Sequence, residues 1–127
     1  MSGEDKAMAF FGSNIDSLKV FETLKLYISN FCPDARIIIN DSLLSFKSAA
    51  GFAYLTLPAE DDKSILFNLA ITTRKKLTSG RFSKMVQPIP GSRSFVYHIG
   101  IRSMSDIDSE LKGWVRQSYE YSKLNLA

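Results

Sequence analysis

The sequence predicts an α+β domain in which two helices pack on one face of an antiparallel sheet. Apolar residues recur at helical spacing only near the two ends of the chain. Between these ends lie short runs rich in β-branched and aromatic residues, and most of the links between them are short. Short links favour antiparallel pairing, so the predicted order is α-β-β-β-β-β-α, with about five strands.

The first predicted helix covers residues 14–31. Ser13 and Asp16 form a capping pattern at its start, and Pro33 disfavours a helical conformation in the residue before it. The apolar residues that recur at helical spacing are Leu18, Phe21, Leu24, Ile28 and Phe31. We interpret this stripe as part of the core.

Residues 1–12 are expected to be a flexible lead-in, so that residues 13–124 form a single α+β domain. A chain of 127 residues can bury a core without disulfides. No apolar run approaches the length of a membrane helix, which is about 20 residues, so we expect no membrane partner. The start of the sequence lacks the pattern of a signal peptide, and we expect none.

The predicted strands are ARIIIN, SLLSFK, GFAYLTL, ILFNLAITT and FVYHIGIR. The first two meet around Asn40 and Asp41, which suit a tight turn. The fourth run alternates clearly, with one face made of Ile65, Phe67, Leu69 and Ile71. The fifth run also alternates, and it separates Tyr97 and Ile99 from His98 and Gly100.

Residues 75–92 connect the last two predicted strands and are expected to be irregular. Pro88 and Pro90 exclude a central strand there, because proline cannot donate a hydrogen bond to a neighbouring strand. A connection this long is often functional. One helical turn around residues 82–86 is an alternative interpretation.

The second predicted helix follows Ser103, which is a good N-cap with Asp106 three residues later. Acidic residues in its first turns are interpreted as partners of the helix dipole. The stripe expected to face the sheet consists of Met104, Ile107, Leu111, Trp114, Val115 and Ser118.

The charges of the chain are segregated. The chain has 16 basic and 13 acidic residues, but residues 72–103 contain no acid. The basic residues of that stretch are Arg74, Lys75, Lys76, Arg81, Lys84, Arg93 and Arg102. A positive surface of this kind attracts anionic partners, nucleic acid among them. It also occurs on sheet edges and loops, where lysines prevent aggregation.

Composition and motifs exclude most enzyme chemistry. The chain has one histidine and one cysteine and lacks the spacing of a zinc site or a phosphate-binding loop, so we expect no metal and no cofactor. No plausible acid/base pair is visible, and an enzyme is therefore the least favoured class, with no catalytic residue proposed. Cys32 is interpreted as a packed thiol, which fits a cytoplasmic protein.

His98 is the most informative polar residue. If the helices cover the face of Tyr97 and Ile99, His98 lies on the opposite, open face, where Gly100 would leave a small hollow. The candidate ligand-binding residues are Arg74, Lys76, Arg81, His98, Arg102 and Tyr54. Cations, an imidazole and an aromatic ring suit a phosphate, a carboxylate or a base.

The C-terminal third, RFSKMVQPIPGSRSFVYHIGIRSMSDIDSELKGWVRQSYEY, resembles the family called domain of unknown function 5655. The elements that carry the resemblance are Phe82, residues 88–91, Tyr97, His98, residues 102–103, residues 106–108, residues 114–115 and residues 118–119. One departure is Met104, where the family often has proline. The resemblance covers residues 14–122 and implies a compact α+β module, but it supplies no activity and no functional residue.

Two functions from different classes follow as hypotheses. The first is a non-enzymatic binding module whose open face and basic loop hold an anionic ligand, such as single-stranded nucleic acid. The second is a protein-interaction or homodimerisation module that pairs through the open face. Basic residues on the open face would favour the first hypothesis, and an apolar open face would favour the second.

Overall fold

The computed structural model describes residues 3–12, 14–40, 42–59, 62, 64–74, 76–86 and 94–124. The helices within these ranges are α1 (Gly3–Phe10), α2 (Ile15–Phe31) and α3 (Ser109–Leu124), with a 3-10 turn at Met104–Asp106. The strands are β1 (Arg36–Ile39), β2 (Leu44–Lys47), β3 (Gly51–Thr56), β4 (Phe67–Thr73), β5 (Phe82–Val86) and β6 (Phe95–Ile101). This arrangement confirms the predicted α+β class. No helix in the described ranges is long and apolar enough to cross a membrane.

The strands form one antiparallel sheet in the order β1-β2-β3-β4-β6-β5. The sheet has one strand more than the sequence predicted, and the additional strand is β5. It lies within the connection that was expected to be irregular, and it forms an edge by pairing with β6 alone. Pro88 and Pro90 lie outside the described residues, and β5 ends before them.

The core lies between the helices and one face of the sheet. On β4, the predicted alternation holds, because Phe67, Leu69 and Ile71 are fully buried while the residues between them are half-buried. Tyr97, Ile99 and Ile101 continue this buried face on β6. Ile107, directly after the 3-10 turn, and four residues of α3 are buried against the sheet, as the helical stripe predicted: Leu111, Trp114, Val115 and Ser118. Met104 was expected to join them but is 44% exposed, because it lies in the 3-10 turn before the helix.

A bulge turns two consecutive residues of β3 to the buried face. Phe52 and Ala53 are both buried, although neighbours in a regular strand point to opposite sides. The pairing of β2 with β3 shifts register after Phe46, and such a bulge allows both side chains to face the helices. The Phe52 ring thereby lies 5.2 Å from the ring of Tyr119 on α3.

The N-terminal residues contain a helix where the sequence predicted a flexible lead-in. Ala7, Phe10 and Phe11 are buried in the same cluster as the rest of the core. The Phe11 ring lies 5.5 Å from that of Phe21 on α2 and 5.6 Å from that of Phe67 on β4. Aromatic packing therefore ties this segment to the helix and the sheet at once.

The N-cap of α2 is Asn14, whose side chain accepts a hydrogen bond from the backbone N–H of Ser17. The predicted cap, Ser13, lies outside the described residues. A second asparagine shapes the β1–β2 turn, because the Asn40 side chain accepts hydrogen bonds from the N–H groups of Ser42 and Leu43. Asp41, which was assigned to this turn with Asn40, also lies outside the described residues.

Two short structures start the C-terminal helix. Asp106 receives hydrogen bonds from the N–H groups of Arg102 and Ser103, which closes the 3-10 turn after β6. Asp108 then accepts a hydrogen bond from the N–H of Leu111, so that it caps α3 itself. The capping interpretation of these acids is therefore confirmed, but the α-helix begins six residues later than Ser103.

Candidate ligand-binding face

The face of the sheet opposite the helices carries the candidate site. We call it the open face, and its strand residues are Arg36, Ile38, Ser45, Lys47, Tyr54, Thr56, Asn68, Ala70, Thr72, Lys84, Val86, Val96, His98 and Gly100. Their assignment follows from the register, since each pairs with another residue of the set or alternates with a buried residue. No described helix packs on this side.

One row of cross-strand partners runs through the middle of the open face. Tyr54 pairs with Ala70, Ala70 pairs with His98, and His98 pairs with Lys84. Because neighbouring strands lie about 4.8 Å apart, Tyr54 and His98 are about 10 Å apart at their backbones. Alanine between them leaves room above the sheet. Two of the residues predicted from sequence, Tyr54 and His98, are therefore brought together.

His98 is half-buried on this face, as its alternation with Tyr97 and Ile99 predicted. Burial lowers the pKa of His98 below its ordinary value of 6.5, and the positive charge of Lys84 acts in the same direction. The imidazole is therefore neutral at pH 7. A neutral imidazole offers one N–H donor and one acceptor nitrogen.

Tyr54 lies down along its own strand. A Cβ atom at position 51 would overlap the Tyr54 hydroxyl and ring, so a larger residue at that position would force Tyr54 to move. Gly51 thereby leaves room for the hydroxyl end of the Tyr54 side chain on the open face. The half-buried state of Tyr54 agrees with this arrangement.

The hollow expected at Gly100 is filled. A Cβ at Gly100 would come within 3.1 Å of Cδ1 of Ile65, whose side chain lies over this part of the open face. The sequence had placed Ile65 on the buried face with Phe67. That prediction is wrong because β4 begins only at Phe67, so the alternation does not extend to Ile65.

The charges of the strands are confined to the open face. The six strands contain no aspartate or glutamate and have three basic residues, Arg36, Lys47 and Lys84. All three lie on the open face, with Lys84 near one edge of the sheet and Arg36 and Lys47 near the other. Alternation against the buried residues of each strand was the signal that could have identified them, but sequence reasoning assigned faces by alternation only to the runs of β4 and β6.

Arg81 belongs to a different environment. Its guanidinium donates hydrogen bonds to Asp108 at 2.9 Å, to Glu110 at 3.1 Å and to the carbonyl oxygen of Asp106 at 2.8 Å. It also lies 5.4 Å from the centre of the Trp114 ring. Burial opposes the charge of Arg81, but the carboxylates outweigh it, and the pKa of Arg81 is raised. This arginine joins β5 to the start of α3.

The remaining predicted residues lie around the sheet and do not join the row. Arg74 follows β4 and lines a groove of about 430 Å³ beside α3, together with Arg116 and Tyr121. Lys76 is exposed in the connection to β5. Arg102 is exposed just after β6. Two hydrogen bonds from Ser64 lower the pKa of Asp62, and the charge of Arg102 makes a smaller contribution in the same direction.

Cys32 lies on the helix side of the sheet, so a nucleophilic pair with His98 is excluded. The thiol is buried and lies 3.3 Å from Oδ1 of Asp34, to which it donates a hydrogen bond. Burial raises the pKa of Cys32, and the hydrogen bond to Asp34 raises it further. Cys32 is thus held as a thiol. No group of three His, Cys, Asp or Glu side chains in the described parts of the chain is arranged to hold a metal ion.

The geometry defines a small α+β domain whose antiparallel sheet is backed by helices on one side and open on the other. The chain belongs to the family described as domain of unknown function (DUF5655), whose model matches residues 9–122. This confirms the resemblance and extends it to residue 9, within α1. A search of the curated proteins returned no significant match to the chain, and a search of the solved structures returned none.

Proposed function

We propose that this domain is a non-enzymatic binding module that holds an anionic ligand on its open face. The observation that carries the proposal is the placement of charge: all three basic residues of the strands, and no acidic residue of the strands, lie on that face. A surface of one sign attracts counter-charged ligands and concentrates them.

The groups around His98 supply the contacts. Lys84 is its cross-strand partner, and an anion above this pair would receive a charged hydrogen bond from the ammonium group and a neutral one from the imidazole. Thr72 and Asn68 flank Ala70 on β4 and offer further polar groups. No carboxylate of a strand competes for these donors.

The basic loop has a smaller part in this proposal than the sequence suggested. Arg81 is engaged by Asp108 and Glu110 on the helix side. Arg74 and Arg102 directly follow β4 and β6, the strands that carry Ala70 and His98 of the row, and Arg74 also lines the groove beside α3. We assign them to the margin of the site.

Homodimerisation through the open face is the second candidate, because Ile38 on β1 is 44% exposed there. Two other exposed apolar residues, Leu57 and Met85, follow the register of the helix side, so the open face is not the main apolar surface. Sedimentation equilibrium decides between the candidates: a dimer that Ile38→Lys dissociates would favour self-association. We further propose a cytoplasmic location, since the buried Cys32 is a free thiol.

An NMR titration with sodium tripolyphosphate tests the anion site. We expect amide shifts centred on β4, β5 and β6, with binding that weakens about two- to fivefold in Lys84→Gln, as loss of one surface contact to an anion would give. The matched control is Lys25→Gln, which removes the same charge from α2 and should leave binding unchanged. Shifts confined to the helices, or equal loss in both variants, would overturn the proposal.

A further inference from the structure

We propose that the ligand of the open face is single-stranded nucleic acid, lying across the strands with bases against Tyr54 and His98. This inference rests on the proposed anion site and adds the class of ligand. Its starting point is the distance between the cations. The sheet has six strands, so β1 and β5 are five spacings, or about 24 Å, apart.

A small anion cannot contact cations at both edges of such a sheet. Lys84 lies on β5, whereas Arg36 and Lys47 lie on β1 and β2. An extended polyanion that crosses the strands reaches both groups, with the neutral middle of the open face beneath it. The span matches the lower end of the site sizes of single-strand binding sheets, about four nucleotides.

The neutral middle contains two flat rings. The Tyr54 side chain lies over Gly51, and His98 lies two strands away in the same row. The other aromatic side chains in the described strands face the helix side: Phe46, Phe52, Phe67, Phe82, Phe95 and Tyr97. Tyr54 and His98 are thus the aromatic residues that the strands present to solvent.

Rings between flanking cations are the arrangement that binds a single strand without reading its sequence. Each base has an apolar face that stacks on an aromatic ring, and the phosphates remain outside to meet lysine and arginine. Ala70 separates the two rings, so a base on Tyr54 and another on His98 do not collide with a side chain between them. A ligand that had only charge would not require the rings.

The register places a basic residue beside each of the two rings, as binding of a single strand across the sheet requires. Lys84 is the direct partner of His98. Lys47 follows the register shift and lies two residues after Ser45, which is the partner of Tyr54. Arg36 is the partner of Lys47 on the outermost strand, and it also donates a hydrogen bond to the carbonyl oxygen of Ser48. Each ring therefore has a positive charge close to it on the side away from the other ring.

Fluorescence anisotropy with two labelled octamers tests the inference at about 50 mM salt, where phosphate contacts are strong. The probes are dT8 and an abasic oligomer with the same number of phosphates. Since stacking contributes about 1–3 kcal/mol per base, dT8 should bind at least about tenfold more tightly than the abasic oligomer. Dithymidine is too short to join the two groups of cations and should bind far more weakly than dT8.

Variants of the open face separate the contribution of the bases to the affinity from that of the phosphates. Tyr54→Leu should lower the affinity for dT8 about tenfold or more and change that for the abasic oligomer less than about twofold, whereas Tyr54→Phe should retain both. Tyr121→Leu removes a ring on α3 and is the matched control. Lys47→Gln/Lys84→Gln should weaken both oligomers and flatten the slope of log affinity against log salt by about 1.4, or 0.7 per lost contact. Circular dichroism verifies that each variant is folded.

The outcomes test the nucleic-acid inference separately from the proposed anion site. Equal affinities for dT8 and the abasic oligomer, or an affinity for dT8 that Tyr54→Leu does not change, would overturn the nucleic-acid inference. Neither result would contradict the proposed anion site. Absence of binding by both octamers, together with no tripolyphosphate shifts on the open face, overturns both proposals.

Discussion

Residues on both faces of the sheet determine the orientation and the protonation of His98. Tyr97 and Ile99, its neighbours in sequence, are buried under the helices and fix the direction in which His98 points. Lys84 on β5 is its charged neighbour, Ala70 on β4 is neutral, and the carbonyl oxygen of His98 accepts a hydrogen bond from Ser83. The environment thus favours the neutral imidazole.

The pKa of His98 is directly measurable, because the chain has one histidine. We expect an NMR titration to give a pKa below 6.5 in the wild type and a higher pKa in Lys84→Gln, since that variant removes the repelling charge. The pKa should also rise when tripolyphosphate is bound. An unchanged pKa in Lys84→Gln would show that the two side chains do not interact.

The same shift makes stability depend on pH. Below 6.5 the unfolded chain binds a proton at His98 more readily than the folded protein does, so the free energy of unfolding falls as the pH falls through this range. His98→Gln should remove this slope while leaving the acid denaturation at lower pH. Urea titrations between pH 5 and 8 measure it, and a slope that survives in the variant would assign it to other groups.

At the level of single residues, sequence reasoning found the face of His98 but missed the partners of Tyr54. Alternation tells which side of a strand a residue occupies, and it placed His98 correctly. It does not tell which residue of the next strand lies opposite, because that depends on turn lengths and on the bulge after Phe46. Lys47 and Lys84 could be placed beside the rings only from the register.

The least predictable element is β5, and its sequence explains why. FSKMV has one side chain, Phe82, that packs in the core, while Ser83, Lys84 and Met85 are exposed. Its pairing with β6 shifts register between Phe82 and Lys84, which breaks the period-2 pattern that identifies a strand. By contrast, β4 and β6 are seven residues long and alternate without interruption, so both were predicted from sequence.

Arg81 holds this edge element to the rest of the domain. Arg81→Met should lower the free energy of unfolding by about 1–2 kcal/mol, because it leaves two carboxylates without their partner and removes the contact with Trp114. Lys84→Met, three residues later on β5 and without an ion pair in the described residues, should change stability by less than about 0.5 kcal/mol. Urea unfolding compares the two variants, and equal effects would contradict the role given to Arg81.

The first helix and the residue after it contribute to the core of the domain. Short helices without a clear polar face are hard to recognise, and α1 has eight residues, so the sequence predicted no structure there. Its contribution appears only when α2 and β4 are brought beside it, because Phe11 packs between Phe21 and Phe67. The core therefore begins before residue 13, where the sequence had placed the start of the domain.

Deleting residues 1–12 should therefore destabilise the protein. Removing Phe11 alone by Phe11→Ala is expected to lower the free energy of unfolding by about 3–5 kcal/mol, the usual range for a buried phenylalanine, and the deletion should lower it further. Met8→Ala on the same helix is the control, since Met8 is 43% exposed and should lose less than about 1 kcal/mol. A deletion variant as stable as the full chain would support the prediction that residues 1–12 are a flexible lead-in.

The position of β5 outside β6 has a consequence for how the domain opens. The chain forms the edge strand β5 between β4 and β6, and β6 pairs directly with β4, so the other five strands form a continuous sheet without β5. The long connection between β4 and β6 carries a loop-closure entropy cost that grows only slowly with its length. Because β5 pairs with β6 alone, we expect it to open locally while the other five strands stay paired, and its backbone amides should exchange with solvent before those of β4.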